Sequence, residues 1–452
     1  MVLTTHPAPV SRAEAFRIWL KIGWLSFGGP AGQIALMHRE FVERRRWISE
    51  SRFLHALNYC MLIPGPEAQQ LATYIGWLMH RSWGGLVAGA LFVLPGFLVM
   101  LLLSWIYARF HHVPAIAALF FGLKAAILAV VVEALLRVST RALRSPAHWY
   151  IAALAFVAIF FFAVPFPIIM VAAGLTGLLA RRLLPVATSR DPHIDQEGEY
   201  LIDQMHSEGQ LAHAAPSAKR AVKVLVLSAI VWVTPLLLVY ATLGPQHVLW
   251  HEGVFFSQTA LVTFGGAYSV LAYVAQRAVE QLHWLNPGEM IDGLALAETT
   301  PGPLILVLQY VGFLAAYRFP GTLLPWLSGF LGAVVTAWVT FVPCFLFIFL
   351  GGPYIETLRQ NLRLRAALTC VTAAVVGVIL NLSVWFASHT LFREMRAVAF
   401  GAIEFDVPRW SSLNVSALIL SAVAFVAMFR LKLGMGWTLL GCAALGFVIA
   451  QV

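Results

Sequence analysis

Leu62-Ile63-Pro64-Gly65-Pro66-Glu67-Ala68-Gln69-Gln70-Leu71-Ala72 sets two prolines and a glycine inside an apolar segment, and the triplet returns 237 positions later as Pro301-Gly302-Pro303. The same offset carries Phe27-Gly28-Gly29 onto Phe264-Gly265-Gly266, Ala35 onto Ala272, Val42-Glu43 onto Val279-Glu280, Trp47 onto Trp284 and Leu57 onto Leu294. That is eleven identities in the forty ungapped positions from 27 to 66. Proline lacks an amide donor and clashes with the preceding helical turn, so these segments cannot be straight helices. A duplicated pair of broken apolar segments points to the binding site of a transporter.

Composition agrees with that class. The chain has 452 residues, 60% of them hydrophobic and only 11% charged, against about 25% charged in a soluble domain. Its apolar runs, roughly 85–107, 115–137, 148–163, 166–180, 220–242, 322–350, 363–387, 411–429 and 433–451, include several near the ~20 residues that a crossing helix needs. The short pair 148–163 and 166–180, separated by Pro165-Phe166-Pro167, reads as a tight hairpin. The short alternating segments of a membrane β-barrel are missing. Ser11 and Glu14 read as a helix start rather than part of a signal peptide. Cys60, Cys344, Cys370 and Cys442 lie apart in apolar segments and read as small buried hydrophobes. No metal or cofactor is expected. Residues 183–219, with Asp191, Asp195, Glu197, Glu199, Asp203 and Glu208, read as a solvated linker.

Lys and Arg orient the chain. If each broken segment keeps both ends on one side, one face collects twenty basic residues, and the other keeps only Arg109, Arg277, Arg318, Arg393, Arg396 and Arg409. The basic face is cytoplasmic by the positive-inside rule, which accounts for the net charge of +9 without nucleic acid. Loop 39–52 is strongly basic, whereas its copy 276–289 has one arginine beside Glu280 and Glu289. The copies therefore face opposite ways. The expected fold is all-α and polytopic, an inverted-topology repeat with broken or re-entrant helices. The first repeat spans 11–182, the polar cytoplasmic linker 183–219, a connecting transmembrane helix 220–246 and the inverted second repeat 247–452.

A helix restarting at a break exposes free amides in its first turn, and its dipole adds about half a positive charge there. Four such restarts would cage an anion. The candidate substrate residues are Gly28, Gly29 and Pro30; Pro64, Gly65 and Pro66; Gly265 and Gly266; and Pro301, Gly302 and Pro303. Gln69, Gln70, Thr299 and Thr300 are added as neutral hydrogen-bonding groups, and Lys124 as an ionisable residue in mid-span. The alternative reading is that the breaks are packing kinks and that Lys124 pairs with Glu133 or Glu67. Glu67 and Glu298 are candidate proton carriers. Arg44, Arg45, Arg46 and Arg365 form a candidate cytoplasmic basic mouth. No HExxH zinc motif, GxSxG elbow or GxxxxGK[ST] phosphate loop is present, so the chain reads as a transporter and not an enzyme.

These motifs resemble the chromate ion transporter family, in its long, two-domain form. The resemblance rests on Phe27-Gly28-Gly29-Pro30, Phe41-Val42-Glu43-Arg44-Arg45-Arg46-Trp47, the segment Leu62–Ala72, Phe92-Val93-Leu94-Pro95-Gly96, Thr263-Phe264-Gly265-Gly266-Ala267-Tyr268 and Ala297-Glu298-Thr299-Thr300-Pro301-Gly302-Pro303-Leu304. It covers nearly the whole chain except the linker. It implies multi-pass insertion in a bacterial inner membrane and export of chromate driven by protons, giving chromate resistance. Sulfate, also a tetrahedral dianion, is the expected competitor. A passive anion channel on the same scaffold is the alternative, and a homodimer is a candidate assembly. Where many relatives carry a histidine shortly after the first Gly-Gly-Pro, this chain has Gln33.

Overall fold

The computed structural model describes residues 10–179, 200–264, 266–355, 362–400 and 403–449. The first half comprises α1 (Arg12–Leu25), α2 (Gly29–His38), α3 (Glu50–Cys60), α4 (Glu67–Phe110), α5 (Pro114–Ala142), α6 (Pro146–Phe162) and α7 (Phe166–Leu179). After α8 (Leu201–Ser207) and α9 (Ala218–Leu243), the second half comprises α10 (Val248–Val262), α11 (Ala267–Ala275), α12 (Pro287–Thr299), α13 (Val307–Arg318), α14 (Pro325–Gly351) and α15 (Leu362–Leu391). A hairpin, β1 (Met395–Phe400) with β2 (Ile403–Pro408), leads to α16 (Val415–Phe425) and α17 (Met435–Ile449). Among the described residues, five helices are long and apolar enough to cross a bilayer: α4, α5, α9, α14 and α15. Proline at the first helical turn starts α2, α5, α6, α12 and α14, where its missing N–H costs nothing.

The offset read in the sequence reappears in the structure. The π-turn Arg39–Arg44 that ends α2 matches Gln276–Gln281, which ends α11. Left-handed Arg46 (φ 52°) matches left-handed His283 (φ 50°). Both halves stop a helix at the first break, at Ser26 and Thr263, and both restart after a glycine of positive φ, Gly28 (85°) and Gly266 (91°). The breaks then bind each other crosswise. The Gly65 N–H donates to Thr263 O at 2.9 Å, and the Gly302 N–H donates to Ser26 O at 2.9 Å. Ser26 corresponds to Thr263, and Gly65 to Gly302, so the two bonds are reciprocal.

One segment departs from a simple span. Backbone angles turn at His80 and Arg81 (φ 56°), and α4 doubles back on itself. A Cβ on Gly76 would lie 2.5 Å from Gly84 O, so the two arms cross backbone to backbone, which only glycine permits. The second half makes the same turn as two separate helices, α13 and α14. Further along, α5 packs on α17, and α15 packs on α7. Each half therefore closes against the last helix of the other.

Residues 200–214 correct the expectation of a solvated linker; 180–199 lie outside the described residues. The N–H groups of Leu201 and Ile202 donate to Arg46 O (3.0 Å) and Trp47 O (2.9 Å). Leu201, Ile202 and Leu211 are buried in the core of the first half. Arg52 pairs with Asp203 at 2.8 Å, and a His213 ring nitrogen, Nε2, bonds Trp77 O at 3.0 Å. Average composition hid three apolar anchors among the acids. The strap also carries a pH dependence. Burial pushes His213 below the ordinary imidazole range, with Arg81 and Arg220 acting in the same sense. The neutral ring is thus favoured when docked, and the undocked chain binds more protons. Docking is complete above the ordinary value of about 6.5 and weakens as pH falls below it. Proteolysis within 200–214 is expected to accelerate on acidification in the wild type, with the His213→Gln variant responding less.

Candidate transport site

A cavity of about 370 Å³ opens among Gly28, Gly29, Pro30, Glu133, Arg137, Tyr268, Glu298 and Lys432. Five elements build it: the start of α2, the last turns of α5, the start of α11, the end of α12 and the turn before α17. Gly28 and Gly29 both have positive φ, so the α2 backbone can face the cavity without a side chain in the way. Glu298 is buried, and its carboxylate accepts a hydrogen bond from the Tyr268 hydroxyl. Arg137 donates to Glu133, and Lys432 stands exposed at the rim. The helix start and Lys432 suit an anion, Arg137 is shared with Glu133, and the buried Glu298 carboxyl suits a proton.

The Pro-Gly-Pro triplets lie behind this cavity as the junction of the two halves. The Gly65 and Gly302 amides are spent on the other half, so the α2 start, which lines the cavity, offers its first-turn amides there in their place. Gln33 is buried and donates from Nε2 to Gly302 O at 2.6 Å. Gln70 Nε2 donates to Pro64 O at 2.6 Å, Gln69 Nε2 to Thr73 Oγ1 at 3.1 Å, and Gln309 Nε2 to Phe97 O at 3.0 Å. Thr299 and Thr300 turn back onto Leu296 O and Ala297 O. A Cβ on Gly96 would lie 2.2 Å from Pro301 O, and one on Gly65 would lie 2.7 Å from Cys344 Sγ. Each triplet thus sits on the proline-bearing point of the other half's long helix, Pro95-Gly96 in α4 or Pro343-Cys344 in α14. Glu67 reaches the second glycine break, with Oε1 3.7 Å from the Cβ position of Gly266; Gly265 lies outside the described residues.

Lys124 pairs with a residue that sequence reading missed. Its Nζ lies 3.0 Å from Asp292 Oδ2, which also accepts from the Tyr107 hydroxyl at 2.7 Å. Neither Glu133 nor Glu67 is the partner: Glu133 is one turn from Arg137 and pairs there. Asp292 is buried, and its Oδ1 has no hydrogen-bond partner. The only signal in the sequence was an acid within an apolar helix, at a position where the first copy has His55. Lys124 and Arg137 lie on α5 about 20 Å apart at 1.5 Å per residue, with buried Ala126, Ile127, Val130 and Val131 between them.

The basic mouth read from the sequence is not at the cavity. Arg44 bonds Glu40 at 2.7 Å, and Arg45 reaches Glu14 at 3.4 Å and stacks over Trp47. Arg46 lies over Tyr200, and Arg365 is half-buried near the start of α15. The arginines of 44–46 shape the loop on which the strap docks. The cations that line the cavity, Arg137 and Lys432, had counted only toward the charge of one face.

Broken helices that meet crosswise, in an apolar bundle with buried carboxylates and a lysine in mid-span, define a membrane transporter. Comparison with known proteins specifies it further. The model of the family described as "Chromate transporter" matches residues 13–178 and 250–447, once on each half, and the chain belongs to that family. It is 31% identical to the chromate transport protein of Pseudomonas aeruginosa over 449 residues, covering 98% of this chain and 94% of that protein. It is 27% identical to the chromate transport protein of Cupriavidus metallidurans over 446 residues, covering 98% of this chain and 95% of that protein. No solved structure matches the chain.

Proposed function

We propose that this protein is a secondary transporter that exports chromate across a bacterial inner membrane in exchange for protons, and so confers chromate resistance. Family membership supports the substrate. The observation that carries the mechanism is the cavity that joins the α2 helix start, Arg137 and Lys432 to Glu298. A tetrahedral dianion would enter from the basic, cytoplasmic side and be held by first-turn amides and the two cations. Protonation of Glu298, with Glu67 as its counterpart at the other glycine break, would alternate with anion occupancy, because a carboxylate beside the anion repels it only when ionised. The reciprocal bonds between breaks support an inverted repeat, in which re-entrant arms from opposite faces meet at mid-membrane. Rocking of one half on the other would then expose the anion alternately to each side. Lys124 and Asp292 stand at the far end of the α5–α12 contact, as the outer closure.

The test is chromate uptake into everted membrane vesicles with an imposed proton gradient. Wild-type vesicles are expected to accumulate chromate, sulfate to compete, and an uncoupler to stop accumulation. Flux that simply follows anion concentration after the gradient is collapsed would make the protein a channel. Arg137→Gln together with Lys432→Gln is expected to raise KM for chromate about tenfold, the loss of one to two charge-assisted contacts. An unchanged KM would remove the cavity from the path.

A further inference from the structure

We propose that Glu252 anchors a monovalent-cation site in the second half, separate from the anion cavity and used by no step of the reading above. Glu252 lies in the second turn of α10. It is fully buried, and neither carboxylate oxygen has a hydrogen-bond partner. It faces the crossing of α13 and α14, where a Cβ on Gly332 would lie 3.0 Å from Glu252 Oε2 and 2.5 Å from Gly312 O. Thr336, one turn beyond Gly332, brings Oγ1 to 2.1 Å from the Cβ position of Gly312. Ser328 stands one turn before Gly332 on the same face.

Both hydroxyls are fully buried and have no partner. That is unusual in this bundle, where buried Thr259, Thr340 and Ser383 each close onto the carbonyl four residues back. A carboxylate, two hydroxyls and the carbonyls of Gly312 and Gly332 are thus gathered around one glycine-lined crossing. They form a set of hard oxygen donors.

The repeat supplies an internal control. The position equivalent to Glu252 at the 237-residue offset is Ala15, which is also buried. The scaffold therefore packs without an acid at this point. A carboxylate left bare in an apolar core carries a heavy desolvation cost, which either a proton or a compensating cation relieves; the unpartnered hydroxyls beside Glu252 favour the cation. Among the described residues, none supplies one. Among the described residues, the titratable groups on α10 and the helices packed against it are His251 with the capping His247, Tyr310, Tyr317 and Arg318 on α13, Lys219, Arg220, Lys223 and Tyr240 on α9, Tyr268 and Tyr273 on α11, and Cys344 on α14, and no hydrogen bond joins any of them to Glu252. Arg318 is committed to Glu289 at 2.7 Å, and His247 to Pro320 O at 3.2 Å. The stretch of α14 that faces the site, 325–340, has no titratable side chain. A divalent ion against a single carboxylate would leave a net buried charge, whereas a monovalent cation cancels it. A proton on the carboxyl would also cancel the charge but would use none of the hydroxyl and carbonyl donors, and experiment separates it from Na⁺.

The experiment is thermal melting of the purified full-length protein in detergent, without chromate. NaCl is titrated against choline chloride at constant ionic strength, at mildly acidic and at alkaline pH. The expected result is a wild-type Tm that climbs with log [Na⁺] at alkaline pH, as linkage requires of a ligand that binds only the folded state. Glu252→Gln should abolish that response, and Thr336→Val should shift its midpoint to about tenfold higher Na⁺, the equivalent of one lost ligand. A Tm that falls with rising pH, without regard to Na⁺ and only in protein that retains Glu252, shows a neutral carboxyl at the crossing and overturns the proposal. Identical responses of wild type and Glu252→Gln to both ions overturn it. Should Glu252→Gln fail to fold, Thr336→Val decides, and a Na⁺ and pH response unchanged from wild type overturns the proposal. Because no chromate is present, failure here leaves the transport reading untouched, and failure of the chromate flux assay leaves this one untouched.

Discussion

Lys124→Met is expected to destabilise the protein by about 3–5 kcal/mol, because it leaves the buried Asp292 carboxylate without its cation. The two single variants should not be equal. The Asp292 side chain is 3% exposed and that of Lys124 28%, so a lysine freed by Asp292→Asn can reach toward solvent, whereas an aspartate freed by Lys124→Met cannot. Lys124→Met should therefore cost more than Asp292→Asn. The double variant Lys124→Met with Asp292→Leu should recover most of the loss, since replacing a buried ion pair by apolar groups is often neutral or better. Thermal melting in detergent measures the stabilities, and chromate uptake by everted vesicles measures the function. A double variant that folds like wild type and does not transport would establish the pair as part of the path. One that folds and transports at the wild-type rate would reduce it to a structural pair.

The second large effect falls on Glu298. Glu298→Gln keeps the size of the side chain and its bond with Tyr268, but a carboxamide can neither bind nor release the exchanged proton. Uptake driven by a proton gradient is expected to fall by more than tenfold, on the scale by which a missing general acid–base group slows a reaction. Chromate exchange between two chromate-loaded compartments should persist, since it needs no net proton movement. Tyr268→Phe removes only the hydrogen bond and should give a smaller loss with an altered pH profile. Equal loss of gradient-driven uptake and exchange in Glu298→Gln would place Glu298 in anion binding instead of coupling.

How much of this was legible in the sequence depended on the range of the interactions. The breaks at Gly28 and Pro64–Pro66, and their copies, were readable because proline and glycine act on their own backbone. The 237-residue offset was readable because both copies keep the same breakers. It reappears in paired π-turns and in paired left-handed residues, Arg46 and His283. Lys124 stood out because a charge in mid-span is costly wherever it occurs. Its partner did not, because Asp292 comes from the other half of the chain and only packing of α5 on α12 selects it over Glu133. Arg137 and Lys432 looked like any other basic residues near a helix end. The gap at His80–Arg81 was legible as the polar interruption before the run 85–107, but the doubling back of α4 there was not, since neither residue reverses a helix by itself.

The sequence by itself determined that the chain is a helical membrane protein with a duplicated, broken core, because apolar length, proline and glycine act locally and additively. Only the tertiary structure decided what the breaks do. It spent the Gly65 and Gly302 amides on the opposite half and left the start of α2 to face the cavity. It brought Glu298, Arg137 and Lys432 to that cavity from three separate helical regions. It folded 200–214 onto the first half, around apolar anchors that average composition had concealed. The reason is the same in each case: which donor, charge or apolar side chain is satisfied depends on a partner more than a hundred residues away, and only the closed fold selects that partner.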